Sequence, residues 1–271
     1  MYPKKIFLDM DLYTILMLLG VIASMVLVRV LSDRRRMRAK WQNLVLFNAV
    51  ISVMVGYGSA VLFQAFYNFM EDGKFEIVNT TGATFYGGLI GGAVCFLLIY
   101  FIAGHFIFPD GYHKAHLRTV TDLAVPCITA AHGLGRLGCL MAGCCYGAET
   151  NAWYGVPQYD FSTGVYVDRI PVQLFEAVFL LALCALTFIL FWKGKKYLMP
   201  LYMLTYGIWR FIAEQLRVDD RGETVVDFLS PSQLISVLLL AGAVALFLVE
   251  YFMDKRKAQQ PQEDKPGESD S

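Results

Sequence analysis

The chain has 271 residues, of which 56% are hydrophobic and 17% charged, and its mean hydropathy is +0.49. An ordinary soluble domain carries about a quarter charged residues, so this composition excludes one, together with disordered, collagen-like and small disulfide-scaffold chains. Lys and Arg number 23 against 23 Asp and Glu, so net charge offers nucleic acid no attraction. The charges fall in short bursts between long apolar stretches, the pattern of a multi-span helical membrane protein. An enzyme, a transporter and a receptor all fit that pattern.

A membrane-crossing helix needs about 20 mainly apolar residues. Seven segments are predicted to cross: 12–31, 44–67, 84–108, 119–134, 172–192, 198–216 and 231–253. The first lacks a small-residue cleavage site and runs into SDRRRMRAK, so it reads as a span with a basic anchor and not as a cleaved leader. The fourth carries His132 and Arg136 at its end, and the sixth carries Arg210 and Glu214. A six-span count with the fourth segment re-entrant is the alternative. With seven spans and the N-terminus outside, 15 Lys and Arg residues face the cytoplasm against 6 outside. The positive-inside rule therefore predicts an outer N-terminus and a cytoplasmic C-terminus. Residues 1–253 are expected to form one all-α, polytopic membrane domain. The polar tail 254–271 is expected to be disordered. The outer loops 68–83 and 146–169 are rich in Gly, Asn, Thr and Tyr and predict short helices or a small cap. No internal repeat is present, which weighs against a secondary transporter.

Of six cysteines, Cys95, Cys127 and Cys184 lie in apolar spans and read as packing residues. Cys139, Cys144 and Cys145 lie in GCLMAGCCYG. Their C-x4-C-C spacing matches no standard zinc pattern, so no metal is expected there. Redox chemistry and close helix packing are the other readings.

Ionisable residues within a bilayer are costly and mark function. Residues 131–147, AHGLGRLGCLMAGCCYG, combine five glycines with Arg136. Glycine-rich backbone at membrane depth is tolerated where it is buried in protein or lines a wet cavity. In YGIWRFIAEQLRVDD, Tyr206, Arg210, Glu214 and Arg217 are spaced to share one helical face. The simpler reading of Arg210 and Glu214 is an i,i+4 ion pair. A third segment, TFYGGLIGG, opens a span with Tyr86, Gly87 and Gly88, and its simpler reading is small-residue packing. Two guanidinium groups beside glycine-lined backbone suit an anionic lipid headgroup, because guanidinium is always charged and grips phosphate bidentately.

These segments resemble the prolipoprotein diacylglyceryl transferases of bacteria. YGGLIGG is similar to that family's H-G-G-L segment, and GRLGCLMAGCCYG to its G-R-x-G-N-x-x-x-G-E-x-x-G signature. PVQLFEA, residues 171–177, is similar to P-x-Q-L-Y-E-A, and YGIWRFIAEQLRVDD to Y-G-x-x-R-x-x-x-E-x-x-R-x-x-D. The four occur in order, each at the start or end of a span. The resemblance implies seven spans with an outer N-terminus in the bacterial cytoplasmic membrane. It implies transfer of diacylglyceryl from phosphatidylglycerol to the lipobox cysteine thiol of preprolipoproteins, with no cofactor. Carried over, Arg136, Arg210, Tyr86 and Glu214 are the catalytic candidates. Tyr13, Arg136, Tyr206, Gly87, Gly88, Gly147 and Arg217 are the substrate-binding candidates. The chain departs from the family at Tyr86, where the family has histidine, and at Cys139 and Cys144, where it has Asn and Glu. His132 is an alternative base, although a packed span histidine is the plainer reading. The rival functions are a thiol–quinone oxidoreductase using Cys139, Cys144 and Cys145, and a lipid or anion transporter.

Overall fold

The computed structural model describes residues 10–73, 77, 84–160, 163–217 and 230–259, without the side chains of residues 71, 72, 85, 86, 231 and 257. Eight helices and one hairpin make up the described chain. The helices are α1 (Leu12–Arg34), α2 (Ala39–Asp72), α3 (Phe85–Ile107), α4 (Tyr112–Ala115), α5 (Leu117–Ala142), α6 (Val172–Trp192), α7 (Leu198–Glu214) and α8 (Pro231–Gln259). Six of them, all but α4 and α7, are long and apolar enough to cross a membrane, and the protein is polytopic. With 17 residues, α7 extends about 26 Å, short of the roughly 30 Å of a hydrocarbon core.

Local chemistry sets the ends. Gly73 stops α2 in the left-handed conformation, its N–H closing on the Phe69 carbonyl. Gly143 stops α5 the same way, bonding the Cys139 carbonyl. The glycine-rich stretch 131–142 stays helical because neighbours fill the space its missing side chains leave. Gly133 faces Leu180 and Leu181, Gly135 faces Met17, and Gly138 faces the Tyr13 ring.

Between α5 and α6 the expected helices or cap resolve into an antiparallel hairpin, β1 (Val156–Tyr159) and β2 (Tyr166–Arg169). This corrects the all-α expectation locally: the β-branched and aromatic residues of the hairpin suit a pleated strand better than a helix. Arg169 ties it down, reaching Asp160 at 2.8 Å and Glu149 at 3.3 Å and lying 4.2 Å over the Tyr146 ring.

The chain groups into two compact units, Ile22–Cys127 and Met1–Val21 with Ile128–Ser271. In the first, α2 and α3 mesh along small residues. A side chain on Gly56 would meet the Gly88 carbonyl at 2.9 Å, and one on Gly92 the Ser52 carbonyl at 3.1 Å. Asn48 donates to the Phe96 carbonyl, and Ser59 to that of Gly87. At the far end Trp41 donates to the Tyr100 hydroxyl, which donates to the His113 carbonyl. In the second unit α7 packs on α8, with Gly207 against Leu240. The tail expected to be disordered from 254 begins as helix: α8 runs to Gln259, and Asp254 accepts hydrogen bonds from Tyr197 and Lys196. Residues 260–271 lie outside the described residues.

Candidate active site

A buried carboxylate organises the second unit. Glu176 lies one turn into α6, in an otherwise uncharged helix, and its side chain is wholly buried. Its Oε2 meets Arg136 Nε of α5 at 2.9 Å. Its Oε1 accepts from the Tyr206 hydroxyl of α7 at 2.9 Å and lies 3.7 Å from His132 Nε2. The Tyr206 ring stands edge-on to His132 and stacks on Tyr202. A buried anion is tolerated only with such pairing, so Glu176 joins three helices around Arg136.

One turn beyond Tyr206, Arg210 is buried and salt-bridged to Glu214 at 2.7 Å, the expected i,i+4 pair. Its Nη2 also donates to Ser232 Oγ of α8 at 2.6 Å. Glu214 accepts in turn from Ser230 at 2.9 Å. Arg210 Nη1 is buried with no hydrogen-bond partner among the described residues. The charges of Arg136 and Arg210 both fall on Glu176, so the two guanidinium groups share one electrostatic neighbourhood.

Arg217 corrects the expectation of one shared helical face. Helix α7 ends at Glu214, and Arg217 instead pairs with Gly147 in an antiparallel bridge, beside an Ala148 N–H to Leu216 carbonyl bond of 3.1 Å. Backbone pairing outcompetes continued helix because Gly147 admits the close approach: a Cβ there would sit 2.6 Å from the Leu216 oxygen. Tyr13 packs on Gly138 of α5.

Tyr86, Gly87 and Gly88 belong to the other unit. Tyr86 lies in the first turn of α3, and its side chain lies outside the described residues. The structure gives the two glycines a packing role: Gly87 faces Phe63, and Gly88 faces Ala60 and the Gly56 carbonyl.

The three clustered cysteines come together despite their spacing, with sulfurs all within 4.8 Å of one another. All are free thiols. The Cys139 and Cys144 thiols beside it, together with the Arg217 guanidinium, hold the Cys145 thiol below its usual range. The Cys144 thiol donates to the Cys139 carbonyl at 3.7 Å, and the neighbouring Cys139 and Cys145 thiols push it above its usual range.

Sequence reasoning passed over Glu176, although it lies in the PVQLFEA segment. The available signal was its place as the one acidic residue of an apolar span. Gln173, which donates from α6 to the Cys144 carbonyl at 2.6 Å, and Ser232 were also passed over. No periodicity marks them, because each acts through a contact distant in sequence.

Comparison with known proteins gives a consistent result. The family model described as prolipoprotein diacylglyceryl transferase matches residues 4–249. Phosphatidylglycerol–prolipoprotein diacylglyceryl transferase 2 of Clostridium perfringens is 34% identical over 223 residues, covering 78% of this chain and 81% of the relative. The phosphatidylglycerol–prolipoprotein diacylglyceryl transferase of Clostridium tetani is 28% identical over 89% of this chain and 93% of its own. That of Dehalococcoides mccartyi strain BAV1 is 32% identical over 90% of each.

Proposed function

The chain belongs to the prolipoprotein diacylglyceryl transferase family, and we propose that it moves the diacylglyceryl group of phosphatidylglycerol onto the lipobox cysteine thiol of preprolipoproteins. In this reaction the substrate sulfur attacks the glyceryl carbon that bears the phosphodiester oxygen. A carbon–sulfur bond forms, the carbon–oxygen bond breaks, and its electron pair leaves on glycerol phosphate. The thiol proton goes to a base and finally to the leaving group. Charge builds on the phosphate, so the enzyme must supply cations fixed in advance.

The observation that carries the proposal is Arg210. It is held on one nitrogen by Glu214 and Ser232, and its buried Nη1 has no partner among the described residues. A guanidinium oriented on one side, with a buried N–H left to pair on the other, suits a phosphate oxygen. Arg136, set by Glu176, is the second clamp. Tyr206 holds Glu176, the anchor of Arg136, and Glu214 holds Arg210, while Tyr86 is assigned to the proton route from the resemblance alone. Tyr13, Arg217 and Gly147 border the headgroup.

The topology proposed with this activity is seven spans in the bacterial cytoplasmic membrane, with α7 as the sixth, the N-terminus outside and the C-terminus inside. The phosphate chemistry belongs to the outer half of the bilayer, where phosphatidylglycerol and secreted precursors meet.

The test uses purified full-length protein with phosphatidylglycerol vesicles and a lipobox peptide. The expected product is a peptide carrying a diacylglyceryl thioether, identified by mass. Folded protein that yields no adduct overturns the proposal. Changing Cys139, Cys144 and Cys145 together to serine separates the oxidoreductase reading: a transferase keeps most of its rate, since the reacting thiol belongs to the substrate.

A further inference from the structure

Three thiols converge at the end of α5. Cys139 lies in its last turn, and Cys144 and Cys145 follow the Gly143 stop. Their sulfurs are within 4.8 Å of one another. We propose that Cys139, Cys144 and Cys145 form a three-thiolate site for a thiophilic divalent d10 cation of the zinc class.

The geometry favours a metal over a disulfide. Successive residues joined by a trans peptide have Cα atoms about 3.8 Å apart, below the roughly 4.4 Å minimum of ordinary disulfides. No peptide bond here is cis, so Cys144 and Cys145 do not bridge each other without distortion. A bond from Cys139 to either would leave the third thiol unused. A metal uses all three. Zinc–sulfur bonds of about 2.3 Å place three ligand sulfurs about 4 Å apart, inside the 4.8 Å limit that bounds the present cluster.

The turn is also fixed in advance. Cys145 sits at φ 62°, in the left-handed region that residues other than glycine seldom occupy. Such strain persists only where the surroundings hold it. Here Gln173, fully buried on α6, grips the Cys144 carbonyl at 2.6 Å. Gly147 is bonded to the Ile170 carbonyl at 3.0 Å. The turn is thus clamped on both sides with its sulfurs aimed together.

Charge agrees with a divalent ion. Three thiolates and one divalent cation carry a net charge of −1, and the guanidinium of Arg217 lies against Cys145. Cys144 is exposed, which gives the ion a path in, and the fourth coordination position is left to water. Binding releases the thiol protons still present. The metal site adjoins Arg217 and Gly147 of the proposed headgroup site, but it does not rest on the transfer reaction.

The test uses reduced, full-length protein in detergent with Cd2+ as a visible probe of thiolate ligation. The expected result is a sulfur-to-metal charge-transfer band that saturates at one ion per chain. Cys139→Ser, Cys144→Ser and Cys145→Ser each weaken binding at least tenfold, while Cys184→Ser leaves it unchanged. A band of equal size in the triple serine variant overturns the proposal. A second measurement needs no variant: Zn2+ slows alkylation of Cys144 in the wild-type protein at least tenfold, read by peptide mass. Equal alkylation with and without Zn2+ overturns it as well.

Discussion

Arg136 on α5 meets Glu176 on α6 through a 2.9 Å contact from Nε to Oε2, and the same carboxylate accepts the Tyr206 hydroxyl from α7 at 2.9 Å. The pair therefore does more than neutralise two charges. It fixes the direction in which the rest of the guanidinium points, and it does so from a helix that carries no other charge. Orientation of this kind is what a phosphate clamp requires, because a bidentate grip depends on the plane of the group.

Glu176→Gln tests this directly. Removing the anion leaves Arg136 buried without its partner, a change that costs about 3–5 kcal/mol in buried pairs. Denaturant unfolding in detergent is expected to show a loss of that order, with lipidation rate falling in whatever fraction stays folded. Unchanged stability would mean that Arg136 finds another partner.

Tyr206→Phe keeps the stack on Tyr202 and removes only the hydroxyl. A hydrogen bond to a charged group is worth about 1.5–3 kcal/mol. The expected loss of stability lies in that range and is smaller than for Glu176→Gln. A double variant losing less than the sum of the two singles places both residues in one network.

Arg136→Lys and Arg210→Lys preserve charge and remove the planar fork. Each is expected to slow peptide lipidation about 10²-fold, the usual effect of losing one charged hydrogen bond to a developing oxyanion. Arg210→Lys is expected to be the worse, because Glu214 and Ser232 both share its Nη2. Arg34→Lys, at the exposed end of α1, is the control and is expected to be silent. Wild-type rates from both core variants would refute the clamp.

Gly147→Ala probes the bridge that ends α7. The new methyl would lie 2.6 Å from the Leu216 carbonyl and 2.8 Å from Val172 Cγ2. Overpacking of this sort costs about 1–3 kcal/mol. A lowered thermal midpoint and faster amide exchange at Ala148 are expected together.

His113 supplies a pH dependence. It is buried among Phe101, Phe108 and Tyr100, and neither ring nitrogen has a hydrogen-bond partner among the described residues. Burial, with Lys114 and His105 nearby and only Asp110 opposing, holds its pKa below the ordinary value of about 6.5. The unfolded chain then binds the proton more readily, so stability falls as pH drops below about 6.5 and levels off once the folded-state pKa is passed. Thermal midpoints measured from pH 8 to 5 are expected to fall more steeply for the wild type than for His113→Phe. Parallel curves would refute the assignment.

Much of the architecture was legible in the residues, because apolar length alone locates a membrane helix. Six of the seven expected spans coincide with long apolar helices, and the seventh, α7, forms as a shorter one. The i,i+4 pairing of Arg210 with Glu214 followed from helical geometry. What stayed hidden depends on tertiary placement. Nothing local announces that Glu176 faces Arg136, that Arg217 leaves the helix to pair with Gly147, or that a C-x4-C-C run folds its sulfurs together. The hairpin over 156–169 was missed for another reason: four-residue strands in a Gly- and Tyr-rich loop carry too little alternation to stand out.

The division of the chain has a consequence for its synthesis. One unit is a continuous stretch, Ile22–Cys127, so its α2–α3 mesh needs no residue made after Cys127. The other closes Met1–Val21 against Ile128–Ser271, and Tyr13 meets Gly138 only after more than a hundred intervening residues have been made. The ring of contacts around Glu176 is later still, since it waits for α7. The first half of α1 is thus born early and partnered late, and an insertion intermediate arrested before α6 would hold a finished α2–α3 pair while the contacts around Glu176 do not yet exist.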